Sequence, residues 1–482
     1  MNRDKRLSDL TGHAGQPDPL ITAVTADSRK VGPGTLFAAL PGSSAHGRDF
    51  IPAAIAAGAA AILSDETAPE TSAPVVRSPD PRRAYALAAA RLHGVQPPVV
   101  VAVTGTNGKT SVAVFCRQIF ARLGHSAASM GTLGVQAGGE ALTPPGLTTP
   151  DAAEVARWAA ELAGRGVTHL AVEASSHGLD QRRLDGLTLT AAGFTNLTRD
   201  HLDYHPDMEA YRAAKLRLFE TLLPRGAGAV LNADAADFPA FAAAAVVHGH
   251  SILSVGEQGQ TLKLVSATPT PRGQDLVVRT PEAEHPIALP LAGVFQASNA
   301  LVAAGLCIAA GEDVAAVLKA LEHLEGAPGR LQRVGAGPRG GEAYVDYAHT
   351  PDGLKTVLEA LRPHARGRLI VVFGAGGDRD NAKRPLMGGH AAALADLAIV
   401  TDDNPRNEDP AAIRKAVLDG APGALEVADR RAAIRAGVEQ LRDGDVLVIA
   451  GKGHEQGQTI AGVVHPFDDV TETRKALEQV HA

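Results

Sequence analysis

Cysteine is nearly missing from this chain: two in 482 residues, Cys116 and Cys307. Each lies inside an apolar, helix-like stretch, which excludes the disulfide framework of a small secreted protein and suits core thiols in a reducing compartment. No run approaches the roughly 18 consecutive apolar residues needed to cross a bilayer. The opening MNRDKRLSDL has charge but no apolar stretch behind it, so no secretory signal and no membrane insertion are expected. Basic excess is lacking too, with 46 Lys and Arg against 53 Asp and Glu and a net charge of -7. Without a basic block to neutralise a phosphate backbone, nucleic acid is excluded as a partner. A protein of this charge that handles phosphates must use loop amides, single cationic side chains and metal ions. A cytoplasmic location is expected.

What is present is an ordinary globular composition, 45% hydrophobic and 21% charged, with 51 glycines and aromatics at only 4%. That mix suits helices packed closely on sheets, with many turns. The length exceeds one compact core and predicts three domains. Residues 1–95 carry short apolar runs (TLFAAL, AAILSD, APVVRS) broken by Gly, Pro and Ser, which read as a small α/β unit. Pro97-Pro98 then precedes PVVVAVTG, a continuous apolar strand of the type buried in a parallel sheet. Over 96–330, strand-like runs (THLAVEAS, AAGFTNL, GAGAVLNAD) alternate with helical ones, the signature of βαβ units. Residues 250–292 look like an antiparallel insertion, and helices are expected over 294–311 and 312–324. From 331 to 482, four strands (EAYVDYAHT, RLIVVFGAGG, LADLAIVTDD, GDVLVIAGKG), each followed by a loop and a helix, predict a second, Rossmann-like domain with its functional loops at the strand carboxyl ends.

The strand VVVAVTG runs into Gly105-Thr106-Asn107-Gly108-Lys109-Thr110-Ser111 and then a helix. A glycine-rich turn at a helix N-terminus offers N–H groups and a positive dipole end to phosphate. Lys109 would meet the β and γ phosphates and the Thr110 hydroxyl would hold Mg2+. Val103 stands where the longer Walker spacing places its first glycine, but the shorter G-x-x-G-K-T keeps the same mechanics. Three further groups stand out: Glu173, where a strand stops at an acid, His201, past another strand, and Lys215, in the helical MEAYRAAKLRLFE. A carboxylate and an imidazole near a triphosphate could hold a second Mg2+. Taken singly they also read as a helix cap, a turn residue and, for Lys215 more simply, a solvated helix face.

These residues, GTNGKTS, EASSHGLDQRR, DHLDYH and YRAAK, resemble the Mur ligases, and within them the MurE ligases, which add the third residue to UDP-N-acetylmuramoyl peptides. The likeness extends to DSRKVGPGTLFAALPG at the start and to DYAHTPDGL, FGAGGDRDNAKRP, DDNPRNEDP and AGKGHE at the end, in order along the chain. It implies an α/β protein of three domains: a small α/β N-terminal domain for the UDP substrate, a central phosphate-loop, parallel-sheet domain for ATP, and a C-terminal Rossmann-like domain for the amino acid. By the same resemblance Ser28 lies beside the nucleotide of the UDP substrate, and the muramoyl peptide runs past Thr148, Thr149, Ser175, Gln181 and Arg183. Asn299, Arg330 and Asp346 match ATP contacts, with His349 nearby. Lys109, Glu173, His201 and Lys215 match the catalytic set. Lys215 is the lysine that the family carries as a carbamate, formed with CO2, so that Thr110, Glu173, His201 and the carbamate serve the metal; this reverses the solvated-face reading.

The implied reaction is ATP-dependent amide-bond formation through an acyl phosphate, needing positioning and charge neutralisation more than a protein nucleophile. Asp403-Asn404-Pro405-Arg406 follows a C-terminal strand. The planar Arg406 guanidinium can grip the extra carboxylate by which diaminopimelate differs from lysine. DNPR thus looks like the diaminopimelate form of the motif, although an Asp-Asn-Pro turn with a solvated arginine is the plainer alternative. Arg379 could hold a second carboxylate, Glu455 an ammonium, and Gly451 a close backbone approach. One departure is Gln456-Gly457-Gln458 after GKGHE, where an aromatic is expected in the middle. The other readings are a related amide ligase (MurF or folylpolyglutamate), a non-catalytic UDP-sugar-binding scaffold, and a mechanical ATPase. A monomer acting on small-molecule substrates is expected.

Overall fold

The computed structural model describes residues 5–42 and 46–481. By the density of internal contacts the chain divides into two units, Met1–Gly259 with Val302–Val317, and Gln260–Leu301 with Leu318–Ala482. Among the described residues no helix is long and apolar enough to cross a membrane.

The first unit opens on a four-stranded, all-parallel sheet, Ala23–Thr25, Thr35–Ala38, Ala59–Ser64 and Val75–Arg77, in that spatial order. Helix Pro81–His93 starts with Pro at its first turn and the Asp80 carboxylate capping Arg83 N–H, where a proline loses nothing and an acid meets the positive dipole end. Its buried face (Tyr85, Ala86, Ala88, Ala89, Leu92) shares one apolar cluster with the sheet and with Ala152 and Ala156 of helix Ala152–Gly164.

The rest of this unit is a larger sheet. Strands Ala127–Gly131, His169–Glu173, Val99–Thr104, Ala191–Phe194, Gly228–Asn232 and Ser251–Gly256 are adjacent and parallel, and the hairpin Gly134–Ala137 and Glu140–Ala141 adds to the first of them antiparallel. The central strands are buried end to end, which is why they read as unbroken apolar runs rather than alternating ones. Helices lie against both faces in the doubly wound manner. Gly193, Gly228 and Gly305 allow the second half of helix Val294–Ala309 to sit close: a Cβ on Gly228 would lie 2.6 Å from that of Ala309.

The second unit contains the antiparallel meander Leu262–Thr270, Gly273–Arg279, Glu284–Leu289, as expected for the insertion. Its main sheet has the order Gln332–Ala336, Glu342–Asp346, Val446–Ala450, Leu369–Phe373, Leu397–Val400, Leu425–Glu426, parallel except for the first pair. The expectation that each of four strands leads to a helix holds for three. After Val446–Ala450 the chain forms a hairpin, Gly457–Ile460 with Val463–Pro466, before helix Asp469–His481. The hairpin reverses at Ala461 and Gly462, both at positive φ.

Candidate active site

In the first unit the expected residues collect at the carboxyl ends of the central parallel strands. Strand Val99–Thr104 feeds the loop, and helix Lys109–Arg122 starts directly behind Gly108, whose φ of 88° is one that a side chain would strain. The loop is braced from the next strand end: Thr106 N–H donates to Asn196 O (2.8 Å), Asn107 N–H to Asn196 Oδ1 (3.0 Å), and Thr195 Oγ1 to Asn107 O (2.6 Å). A Cβ on Gly105 would sit 1.9 Å from Thr195 Oγ1. Lys109 Nζ curls back to donate to Gly105 O (2.9 Å) and Thr106 O (2.7 Å), so its charge stays over the turn.

Glu173 ends the neighbouring strand and is buried. Its carboxylate accepts from Thr110 Oγ1 (2.9 Å), Thr132 N–H (2.8 Å) and Thr132 Oγ1 (3.2 Å). Thr110 and Glu173 are therefore joined, and an all-oxygen pair of this kind would suit Mg2+. Sequence reasoning missed Thr132 and Gly131. The latter has room only for hydrogen, since a Cβ there would lie 2.0 Å from Glu173 Oε1; an MGT strand end carries no pattern that reveals this.

Lys215 is 1% exposed, which overturns the solvated-face alternative. Its Nζ donates to Gly105 O (2.7 Å) and lies over the Tyr211 ring (4.6 Å). Burial, followed by the nearby Lys109 charge, holds its pKa well below the ordinary lysine value, so the neutral amine is favoured. Tyr211 shares its hydroxyl with Thr106 Oγ1 (3.0 Å), and burial pushes the phenol up to about 12. It too escaped the sequence reading. His201, at φ 54°, is more open: its Nε2 lies 3.5 Å from Asp200 Oδ2, and its ring meets His177 edge-on at 5.0 Å.

Of the residues expected along the peptide path, Thr148, Thr149 and Ser175 are linked to the same acid. Thr148 Oγ1 is 3.0 Å from Thr132 Oγ1. Thr149 Oγ1 donates to Glu173 O (2.7 Å) and accepts from Ser175 N–H (3.0 Å), and Ser175 Oγ caps the short helix Ser176–Asp180. Arg183 donates to Thr149 O (2.6 Å) and Gln181 Oε1 (2.8 Å). Ser28 belongs instead to the four-stranded sheet, in the turn behind its first strand, where Asp27 pairs with Arg29.

The second unit holds two groups. Asn299 Nδ2 donates to Gln296 Oε1 (3.1 Å), and Gln296 Nε2 to Arg330 O (3.0 Å). Asp346 accepts from Leu331 N–H (2.7 Å) and Ala348 N–H (2.8 Å), so it braces the Arg330 turn. Burial raises its pKa. The Arg330 guanidinium lies over Tyr347, whose ring is 4.6 Å from that of His349.

The other group is built by DNPR, GGDRD and GKGHE. Asn404 accepts from Lys452 Nζ (2.9 Å) and Thr459 N–H (3.0 Å) and donates to Glu455 Oε2 (2.9 Å). Gln458 Nε2 donates to Asp403 O (2.8 Å). Arg406, at φ 54°, is pinned by its N–H to Thr459 O (3.0 Å), and its Nη1 donates to Gly377 O (2.6 Å). A Cβ on Gly376 would stand 2.9 Å from that Nη1, and one on Gly377 1.9 Å from Pro405 O, so the glycine pair lets the two loops pack closely. Asp403 is buried and its Oδ2 has no hydrogen-bond partner among the described residues; a Cβ on Gly451 would lie 2.4 Å from it. Arg379 is exposed, and among the described residues its side chain donates to Asp378 O alone (3.4 Å). Lys452, fully buried, and Lys383, whose pKa burial lowers, were not foreseen although both lie inside quoted motifs. Gly457, where an aromatic was expected, faces Val464 so closely that a Cβ would lie 2.7 Å from its Cγ1.

Comparison with known proteins is unambiguous. Family models match residues 20–95 (Mur ligase family, catalytic domain), 103–307 (Mur ligase middle domain) and 329–453 (Mur ligase, glutamate ligase domain). The chain is 71% identical to the UDP-N-acetylmuramoyl-L-alanyl-D-glutamate--2,6-diaminopimelate ligase of Caulobacter vibrioides, covering 99% of this chain and 100% of that one. The chain belongs to the Mur ligase family, in its MurE branch. It is accordingly an ATP-dependent amide-bond-forming ligase. The Bradyrhizobium diazoefficiens protein of the same name is 51% identical over 98% of this chain and 99% of its own. A solved structure of a UDP-N-acetylmuramoyl-L-alanyl-D-glutamate--2,6-diaminopimelate ligase superposes with TM-score 0.77 at 35% identity, covering 99% of this chain and 100% of the other. The α/β class and the three Mur ligase domains expected from the resemblance hold.

Proposed function

We propose that this ligase joins meso-2,6-diaminopimelate to UDP-N-acetylmuramoyl-L-alanyl-D-glutamate, making the tripeptide precursor of peptidoglycan in the cytoplasm, as a monomer. The observation that carries the choice of amino acid is the DNPR loop. A buried Asp403 oxygen awaiting a donor and the Arg406 guanidinium beside Gly376 and Gly377 offer one partner for an ammonium and one for a carboxylate. Lysine would leave that guanidinium without its carboxylate, and polar readout of this kind discriminates strongly.

The domain division is 1–95 for the UDP end, held at Ser28, 96–330 for ATP, and 331–482 for the amino acid, held by Arg379, the DNPR residues, Gly451 and Glu455. The D-glutamate γ-carboxylate attacks the γ-phosphorus of ATP, giving an acyl phosphate and ADP. The amine of diaminopimelate then attacks the acyl carbon and phosphate leaves. Gly105 to Ser111 cradle the phosphates, and Lys109 swings from the loop carbonyls to the γ-phosphoryl oxygens as charge moves between them. Asn299, Arg330 and Asp346 serve the nucleotide. Thr148, Thr149, Ser175, Gln181 and Arg183 orient the peptide so that its carboxylate meets the phosphorus in line.

Thr110, Glu173 and His201 would hold Mg2+, and the fit rests on the hydroxyl–carboxylate pairing of Thr110 and Glu173. Bound Mg2+ supplies positive charge against the phosphate oxygens. Lys215 captures CO2 through its neutral Nζ, forming an N–C bond and releasing one proton, and the resulting carbamate replaces an amine donor by an anionic oxygen ligand. The test is phosphate release with ATP, Mg2+ and the UDP-dipeptide, with meso-diaminopimelate or L-lysine added in parallel. Release with diaminopimelate alone supports the reading; preference for lysine refutes the role of Arg406. In Lys109→Ala, turnover should collapse while binding of the UDP substrate survives.

A further inference from the structure

At the end of the larger sheet away from the phosphate loop, three potential metal ligands meet. His169 is the first residue of the strand that Glu173 ends. About four steps of 3.3 Å therefore separate the two Cα atoms, or roughly 13 Å. His125 follows the carboxyl end of helix Lys109–Arg122, and Glu312 lies in the turn between helices Val294–Ala309 and Val314–Ala320. Glu312 Oε1 is 2.9 Å from His125 Nε2 and 3.5 Å from His169 Nε2. One ligand atom from each residue lies within 4.8 Å of both others. A tetrahedral ion with bonds of about 2.0–2.1 Å requires ligand atoms about 3.3–3.4 Å apart, so the two measured separations straddle the requirement.

The surroundings orient the ligands. Thr168 Oγ1 lies 3.2 Å from Ser126 O and 2.9 Å from His169 Nδ1, which holds the imidazole in place. This is the partnership by which a metal-binding histidine is usually oriented. Nε2 of His169 thereby faces the Glu312 carboxylate, with either a proton or a cation able to sit between them. Phe120 packs on the His169 ring at 4.5 Å, and the two imidazoles lie 4.0 Å apart with 31° between their planes. His125 and Glu312 remain partly open, giving an ion a way in and room for a water as fourth ligand.

We propose that His125, His169 and Glu312 form a second metal site, for a borderline divalent transition ion such as Zn2+, separate from the oxygen-lined site around Glu173. Two imidazoles and one carboxylate favour Zn2+ over Mg2+ or Ca2+. The ion clips the carboxyl end of helix Lys109–Arg122 to strand His169–Glu173, the elements whose opposite ends carry Lys109, Thr110 and Glu173.

The test titrates Zn2+ into the full-length protein against a chromophoric chelator, with saturating Mg2+ and ADP present to occupy the phosphate-loop site. One Zn2+ per chain is expected, weakened about tenfold or more in both His125→Ala and Glu312→Gln. At Zn2+ well above its Kd, the thermal midpoint of the parent should rise by about 3 °C or more, and that of His125→Ala should not. His125 is partly exposed, so this variant keeps its fold, verified by an unchanged midpoint in chelator-treated buffer. Co2+ in place of Zn2+ should give the intense visible bands of a four-coordinate ion, lost with His125. Failure of the parent to bind at about 10 µM free Zn2+, a level typical sites saturate below, overturns the proposal. So does binding that His125→Ala and Glu312→Gln leave unchanged.

Discussion

Gly131→Ala should cripple the ligase without touching any residue that meets substrate. The added methyl carbon would stand 2.0 Å from Oε1, 2.5 Å from Cδ and 2.6 Å from Cγ of Glu173. Movement of the carboxylate tip alone cannot relieve three such contacts, so the whole side chain must rotate away. That rotation breaks at least one of the bonds from Thr132 N–H, Thr132 Oγ1 and Thr110 Oγ1. A hydrogen bond to a charged group contributes about 1.5–3 kcal/mol. If one such contribution is lost from the transition state, kcat falls about 10- to 100-fold. Overpacking of the buried strand end costs a further ~1–3 kcal/mol of stability, to be read separately by urea unfolding. Initial rates of phosphate release at saturating substrates provide the assay. Gly164→Ala is the matched control, because a Cβ at this helix end meets nothing within 4 Å. Folded Gly131→Ala with kcat within about threefold of the parent would show that the position of Glu173 does not limit the reaction.

Arg406→Lys should lower kcat/KM for diaminopimelate about 10- to 100-fold, since an ammonium gives no parallel pair of hydrogen bonds; an equal fall with a substrate lacking the second carboxylate would contradict that cause. Asp469→Asn attacks a pair with both side chains 0% exposed, in which Arg430 donates at 2.8 and 2.7 Å. It should cost ~3–5 kcal/mol in chemical unfolding. The depressed pKa of Lys215 means that the unfolded chain binds more protons than the folded one at pH values between the two pKa values. Stability in CO2-free buffer should therefore rise with pH up to the unfolded lysine value of about 10.4, and fall as pH drops from there to the folded value. Urea unfolding over a pH series measures this slope, which Lys215→Met should remove.

Much of the molecule was legible because its signals are local. Buried parallel strands write themselves as apolar runs, and the phosphate loop lies in seven consecutive residues, 105–111, between a strand and a helix. DNPR, GGDRD and GKGHE were each visible as motifs, and the family resemblance joined them. The hairpin 457–466 was not visible. Its strands are short, the first half-buried and the second exposed, VVHP lacks alternation, and the preceding strand pattern pointed to a helix. Lys215 shows the limit most clearly. On the helix pattern alone it reads as a solvated lysine, and only the resemblance made it a functional residue.

By itself the sequence determined the elements, their α/β alternation, the phosphate loop and the chemistry of the motifs, because each depends on residues within one or two turns of chain. Only the tertiary structure decided which side chains share a site and in what electrostatic state. Glu173 meets Thr110 and Thr132 across 63 and 41 residues of chain, and Arg406 reaches Gly377 O across 29. Lys215 loses its solvent by lying on the phosphate loop 110 residues before it. Distances of that kind, and the desolvation that shifts a pKa, arise from strands brought side by side in a parallel sheet, and no local pattern encodes them.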